Sequence, residues 1–215
     1  MIKKYALLCF VINITSVYAI LGGIGINVIN DDFSIDGIQF TDNNPDIGNV
    51  TRSGIETPIG LGGFIYLTAI PFMDFEADAN FTFATYDYSY DGNLAPSSSQ
   101  SVPLGKLTWN VTAQKPIFKF PTIRLYLGAG ANGSSYTQLL APETITTLDP
   151  NKLSNPDHLK DKLAKSINGH HVELGLRFNP PIMPFSLNVK ARYNYVNDFL
   201  VDKYMSISIG TAIAI

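Results

Sequence analysis

Apolar and polar side chains alternate with a period of two over several stretches of this chain, as expected of strands with one oily face and one polar face. Over 75–86, Phe75, Ala77, Ala79, Phe81 and Phe83 share one side, while Glu76, Asp78, Asn80, Thr82 and Tyr86 share the other. The pattern returns over 185–195, where Phe185, Leu187, Val189, Ala191, Tyr193 and Tyr195 alternate with Ser186, Asn188, Lys190, Arg192 and Asn194. Two further stretches, 106–114 and 122–132, repeat it around Leu107, Trp109, Val111 and Ala113, and around Ile123, Leu125, Leu127, Ala129 and Ala131. The weaker segments 20–29, 59–70, 170–178 and 204–215 complete a set of eight predicted strands.

The connections are expected to alternate in length. Long ones fall at 30–58, 88–103, 133–168 and 196–203, and short ones at 71–74, 115–121 and 179–184. Every short one carries proline: Pro71, then Pro116 and Pro121, then Pro180, Pro181 and Pro184. Proline suits a tight turn and is excluded from a central strand. An even-stranded up-and-down meander, with short turns at one end and long loops at the other, produces this alternation. Within the third long loop, Pro156 follows Ser154 and Asn155, and Leu159 and Leu163 are spaced i, i+4 before Ile167, which predicts a short surface helix.

Alternation alone leaves open which face points inward, and composition decides it. The apolar face is nearly free of charge over whole strands, as lipid contact requires. The opposite face holds small residues, among them Gly60, Gly62, Gly128, Gly130, Gly175 and Gly210, together with Ser206, Ser208, Ala212 and Ala214. Glu76, Asp78, Lys106, Arg124, Glu173, Arg177, Lys190 and Arg192 also fall on this face, three acids against five bases. An eight-stranded barrel is just wide enough for side chains to fill its interior, and charges buried there need partners. A turn pairing Phe178 with Phe185 would set Glu173 opposite Lys190 and His171 opposite Arg192. The expectation is a network of ion pairs that plugs the lumen; a gated ion path along the same charges is the rival.

Lys3 and Lys4 precede an apolar run from Tyr5 to Ile14, and Val17 and Ala19 suit a cleavage after Ala19, so 1–19 is predicted to be a secretory signal and 20–215 the barrel domain. Its removal would leave 196 residues and, without Lys3 and Lys4, shift the formal charge from −3 to −5. Such a chain offers no broad basic surface for nucleic acid. The single cysteine, Cys9, lies within the signal, so no disulfide is expected. No mature stretch is long and apolar enough for a membrane-spanning helix.

Aromatic residues gather at both strand ends. Phe72, Phe75, Phe118, Phe120, Phe178 and Phe185 mark the short-turn end; Tyr86, Tyr88, Tyr90, Tyr195, Phe199 and Tyr204 mark the long-loop end, as two interfacial belts would. With these features the chain resembles the outer-membrane β-barrel superfamily that includes the OmpA transmembrane domain and the small OmpX-like barrels. The resemblance implies an all-β, eight-stranded antiparallel transmembrane barrel in a bacterial outer membrane. The implied partners are membrane lipid, lipopolysaccharide and the outer-membrane assembly machinery, with an extracellular ligand met through the loops. Such barrels commonly end in an aromatic residue, whereas this chain ends Ala212, Ile213, Ala214, Ile215.

Candidate chemistry is sparse. His170, His171 and Glu173 lie near the outer end of a strand, with Ser134 and Ser135 at the start of the preceding loop, the residue types of a hydrolase triad. The spacing matches no motif, and His171 is read as a lumen residue. Asp31, Asp32, Asp36, Asp42 and Asp46 make the first loop acidic without the ligand spacing of a calcium loop. No cofactor or metal is expected. The function expected is a non-enzymatic integral outer-membrane protein serving envelope structure, adhesion or recognition; a lipid-modifying enzyme with a site at the outer rim, or a narrow porin, are the alternatives.

Overall fold

A computed structural model of the chain describes residues 22–41, 48–70, 72–91, 93, 98–120, 122–137, 164–180, 183–197 and 201–214. The expected signal segment 1–19 and the residues expected to form the loop helix, 155–163, lie outside them. Ile167, expected in the long connection 133–168, is part of a strand and pairs with Ser134, because the ladder begins three residues earlier with Ala164 opposite Thr137.

Eight long strands are connected in chain order: β1 (Gly22–Asp32), β6 (Ile59–Ile70), β7 (Met73–Asp91), β8 (Ser98–Lys119), β9 (Ile123–Thr137), β10 (Ala164–Phe178), β11 (Phe185–Val196) and β12 (Lys203–Ala214). Each pairs antiparallel with the next, and β12 pairs with β1, so the sheet closes into a ring. Closure gives every ladder a partner, which is what a sheet in hydrocarbon requires. Four short strands, β2 (Ser34–Ile35), β3 (Ile38–Thr41), β4 (Asn49–Arg52) and β5 (Ile55–Glu56), fold the first outer connection: β2 pairs with β5, β3 with β4, and β4 with the outer end of β7.

The alternation of the sequence translates into an inverted burial pattern. Ile26 and Leu61 are each 69% exposed, and Leu107, Leu127, Val172, Ile207 and Ile213 also face outward. Glu76, Asp78, Thr112, Gln114, Arg177, Asn188 and Lys190 are buried inside the ring. Glycines make room for the interior groups where they crowd. At Gly175 a Cβ would meet the Tyr126 ring at 2.1 Å, and at Gly130 it would meet the Val111 carbonyl at 2.0 Å and the His171 ring at 2.8 Å.

The strands overshoot the membrane at one end. β7 has 19 residues and β8 has 22, whereas about 9 to 11 suffice for a crossing. Their outer halves therefore form a protruding hairpin where a long loop at 88–103 was expected. Pro103 is accommodated in β8 because β9 reaches up only to Lys106 there, leaving Pro103 a neighbour on one side. Pro116, expected in a turn, lies within β8 at the register shift between Pro116 and Phe118. Both are the edge and bulge positions a sheet tolerates for proline.

The aromatic belts are only half as expected. Phe72, Phe75, Phe118, Phe120, Phe178 and Phe185 are exposed around the short-turn end. At the other end Tyr86, Tyr88 and Tyr204 are buried, because they share the inward parity of Asp78 and Ser206. Tyr204 joins Phe33, Tyr136, Ile167 and Val196 in an apolar cluster over the outer mouth, with Phe33 and Tyr204 edge to face at 5.4 Å. Tyr86 and Tyr88 pack with Val50, Ile55 and Leu104 beneath the folded first connection.

Because Val189 faces outward near the middle of β11, an arginine there would meet hydrocarbon. Val189→Arg should lower unfolding stability in phospholipid vesicles by about 2–4 kcal/mol, measured by urea titration, and an unchanged midpoint would contradict the assigned outer face.

Candidate functional site

The polar interior is the feature on which the described strands converge. Of the charged residues placed on the polar face by alternation, all eight line the ring, and the structure adds two acids. Asp31, assigned by sequence to the acidic first loop, is the tenth residue of β1 and is 2% exposed; Asp74, assigned to a turn, is also buried. The lumen acids are thus Asp31, Asp74, Glu76, Asp78 and Glu173, facing the bases Lys106, Arg124, Arg177, Lys190 and Arg192. Among the described residues, lumen acids and bases balance one for one.

The pairs are built mostly across the lumen. β7 and β11 stand diametrically opposite in the ring. Glu76 on β7 contacts Lys190 on β11 directly, and Asp78 receives Arg192 at 2.7 Å. Arg192 also donates to Glu173 at 2.6 Å, so one guanidinium joins two carboxylates in the fork geometry that arginine provides. Arg177 lies under the Tyr66 ring, 3.7 Å from its centroid, and donates to Asn188 at 2.8 Å and to Glu76 at 3.4 Å. Nearer the short turns, Arg124 donates to Asp74 at 2.7 Å.

A second group lies under the outer cap. Lys106 Nζ is 2.6 Å from Asp31 and donates to the Tyr204 hydroxyl at 3.0 Å. Asp31 also accepts from Ser206 at 2.6 Å and Thr82 at 3.1 Å. Amides extend the first group from Asp78: Asn27 donates to Asn80 at 2.9 Å, Asn80 donates to Asp78, and Asn110 donates to Asp78 at 2.6 Å. A space bounded by Asp31, Asn80, Thr108, Asn110, Arg192 and Ser206 has a volume of about 10 Å3, the lower limit for admitting a single water.

The register across the β10–β11 turn differs by two residues from the one expected. Phe178 pairs with Leu187, so Glu173 lies opposite Arg192, His171 opposite Asn194 and Gly175 opposite Lys190. The turn does not close on β11. Asn179 N–H donates to the Thr122 carbonyl instead, and Phe185 and Ser186 pair only with β12. A shift of two preserves which face each side chain takes, so the charges stay inside with different partners.

The residues of the candidate triad are kept apart. Ser134 pairs in register with Ile167 and His171 with Gly130, so they are separated by about 13 Å along the ladder. Ser134 bonds Thr108 at 2.9 Å, Ser135 bonds Ser166 at 2.9 Å, and His171 Nε2 bonds Thr112 at 2.8 Å. Glu173 is engaged by Arg192 and by Gln114 at 2.9 Å. Among the described residues no group of three or more His, Cys, Asp or Glu could hold a metal ion; Asp42 and Asp46 lie outside them, and Asp31 is committed to Lys106.

A closed ring of eight antiparallel strands, oily outside and ion-paired inside, is the fold of the small outer-membrane β-barrels of the OmpA and OmpX-like kind. Solved structures similar to this chain include barrels of that kind. Ail of Yersinia pestis, in complex with a heparin analogue, is 14% identical, with 90% of this chain and 97% of that one covered and a TM-score of 0.50. Neisserial surface protein A has 14% identity, coverage of 90% and 97%, and a TM-score of 0.48. OprG of Pseudomonas aeruginosa has 14% identity, coverage of 90% and 93%, and a TM-score of 0.48. No family model matches the sequence, and no curated protein does.

Removing Arg192 leaves both Asp78 and Glu173 without their shared cation. Arg192→Leu should cost about 3–5 kcal/mol, whereas the paired replacement Glu76→Gln with Lys190→Met should cost less than the sum of its single changes. Urea unfolding of the four variants in vesicles measures both, and additive single changes would mean that Glu76 and Lys190 do not interact.

Proposed function

We propose that this protein is a non-enzymatic integral protein of the bacterial outer membrane, exported with residues 1–19 as a cleaved signal, whose lumen is sealed and whose work is done at its outer surface. The observation carrying the reading is the pairing of lumen charges across the ring's full diameter, between β7 and β11. A hydrated ion passing that level would have to part Glu76 from Lys190 and Asp78 from Arg192, and a charge so stranded costs several kcal/mol. The apolar cap of Phe33, Tyr136, Ile167, Val196 and Tyr204 adds a dry layer above. A solute path is thereby opposed twice.

The separation of Ser134 and Ser135 from His171 supports a non-enzymatic role, since nucleophile and base must be within hydrogen-bond reach or one water of it. What remains available for biology is the outer end. There β7 and β8 extend beyond the membrane and, with β3 and β4, present a folded surface suited to envelope structure, adhesion or recognition. Its exposed charges are mostly acidic: Asp32, Asp36, Glu56, Asp87 and Asp202, against Lys165 and Lys203 among the described residues.

Reconstituted in planar bilayers, the protein should give no unitary conductance in symmetric salt. Steady openings would refute the sealed lumen and favour a narrow porin. Comparing the lipids of a host with and without the protein tests the enzymatic alternative; a new or missing lipid species would favour it.

A further inference from the structure

The ladder between β1 and β6 is broken at the outer mouth and resumes as a separate piece of sheet. The two strands pair as far as Asn30 opposite Ile59, and Asp31 N–H then donates to the Pro58 carbonyl at 2.8 Å. Beyond that point β2 and β5 pair only with each other, Ser34 with Glu56 and Ile35 with Ile55. Phe33 and Thr57 form the joint between the two pieces, with Thr57 N–H donating to the Phe33 carbonyl at 3.0 Å. At the far end of this two-rung panel, a Cβ on Gly37 would meet the Arg52 carbonyl at 2.8 Å and Gly54 N at 3.1 Å. The panel is thus attached by two narrow joints, whereas β4 beyond it is held on β7 by four residue pairs.

The joint at the barrel is strained. Thr57 has a φ of 41°, and among the described residues it is the one residue other than glycine with a positive φ. A β-branched residue there is an outlier, because its Cβ crowds the following carbonyl oxygen. The Thr57 side chain is exposed, so the conformation is imposed through the backbone. What imposes it is the seating of the panel. Phe33 is buried with Tyr136, Ile167, Val196 and Tyr204, each from a different barrel strand, and Lys106 Nζ lies 5.2 Å from its ring centroid. Ile35 packs both against this cluster and against that of Val50, Ile55, Tyr86, Tyr88 and Leu104. Burial of Phe33 and Ile35 favours the closed panel, and the strain at Thr57 opposes it.

We propose that β2 and β5 form a hinged panel over the outer mouth, latched by Phe33 and sprung at Thr57. Opening returns Thr57 to negative φ and withdraws Phe33 from the cluster above Lys106, while β4 stays on β7. Backbone strain of this kind persists only where the surrounding packing enforces it, and it collects in clamps and switch regions. Resting on the reading that the protein works at its outer surface, the panel gives that surface two forms. Closed, it shows Asp32, Asp36 and Glu56 around a buried aromatic ring; open, it bares Phe33 and Ile35. The ion pairs lower in the lumen are untouched, so opening the panel opens no path for ions.

The test follows the reaction of a thiol under the panel with a water-soluble methanethiosulfonate. The full chain is folded in phospholipid vesicles, with Cys9→Ser removing its one native cysteine. Val196→Cys places the thiol in the cluster that Phe33 joins, and Ser186→Cys places a reference thiol at a fully buried lumen position near the short turns. The thiol at 196 should react slowly, and the one at 186 about tenfold more slowly or less still, since local opening outruns global unfolding. Thr57→Gly relieves the closed form and should slow labelling at 196 by about fivefold. Thr57→Asn should slow it less, and Thr57→Val, still β-branched, should leave it unchanged. Phe33→Ala should speed it by about tenfold or more. Labelling unaffected or accelerated by Thr57→Gly, or unaffected by Phe33→Ala, overturns the panel. So do equal rates at 196 and 186, which would mean that the whole barrel opens, and so does a thiol at 196 that never reacts. Steady ion conductance of the wild type would instead refute the sealed lumen, with the labelling rates still deciding the panel.

Discussion

Ions held inside a narrow ring of backbone have no bulk water to fall back on, and this constraint organises the interior. An unpaired ion in such surroundings costs several kcal/mol, so each acid must find a base within a space about one side chain deep. Five of each are present, and the longest of them, arginine and lysine, reach across the diameter to the acids of β7. The same demand explains the small residues. Gly175 gives the Tyr126 ring its place beside Arg177, and Gly130 admits His171. The lumen is filled by making some positions empty enough for others to be large.

The exterior follows a different rule at each level. Along the barrel wall the outward side chains are mostly aliphatic or aromatic, with Thr211 exposed among them and Lys115 toward the short-turn end. Above it, the sheet acquires an ordinary soluble-protein core, with Val50, Ile55, Tyr86, Tyr88 and Leu104 buried under the first connection. β7 and β8 change role along their length, charged within and oily without for one half, then folded against a small hydrophobic cluster for the other. One strand pair thus serves two solvents. The apolar cap over the mouth is where the two regimes meet, and Lys106, just beneath it, is matched to Asp31 and to the Tyr204 hydroxyl rather than to water.

Strand number, antiparallel order and the inward side of eight charged residues were legible in the sequence because alternation has a fixed period and survives any error of strand length. Pairing was less so. The partners of Glu173 and Lys190 depend on where the chain turns, and a six-residue connection with three prolines, 179–184, leaves Phe185 and Ser186 unpaired with β10. Asp31 and Asp74 were hidden at segment boundaries, one among loop aspartates and the other in a presumed turn. A signal for them did exist: three acids against five bases is an imbalance that buried charges do not tolerate, and two further acids at strand ends were the available remedy. Tyr86 likewise already shared the parity of Glu76 and Asp78, and that parity outweighs the tendency of aromatics to mark an interface.

The two rims differ in a way that the hydrophobic effect alone does not require. The short-turn rim is ringed by phenylalanine, with Phe72 83% exposed at the tip of a turn and Phe118 packed on Phe120. Phenylalanine has no polar handle, so this rim gains most by staying within the hydrocarbon boundary. The opposite rim carries tyrosine, histidine and lysine on its outer wall, residues whose apolar bodies and polar tips belong at headgroup level. A barrel with such unlike ends has a preferred depth as well as a preferred direction: the phenylalanines draw one end in, and the register row of His170, Tyr195 and Lys203 fixes where the other emerges. With depth fixed at both rims, the charged lumen is held at bilayer level, and the folded first connection is carried clear of the membrane surface.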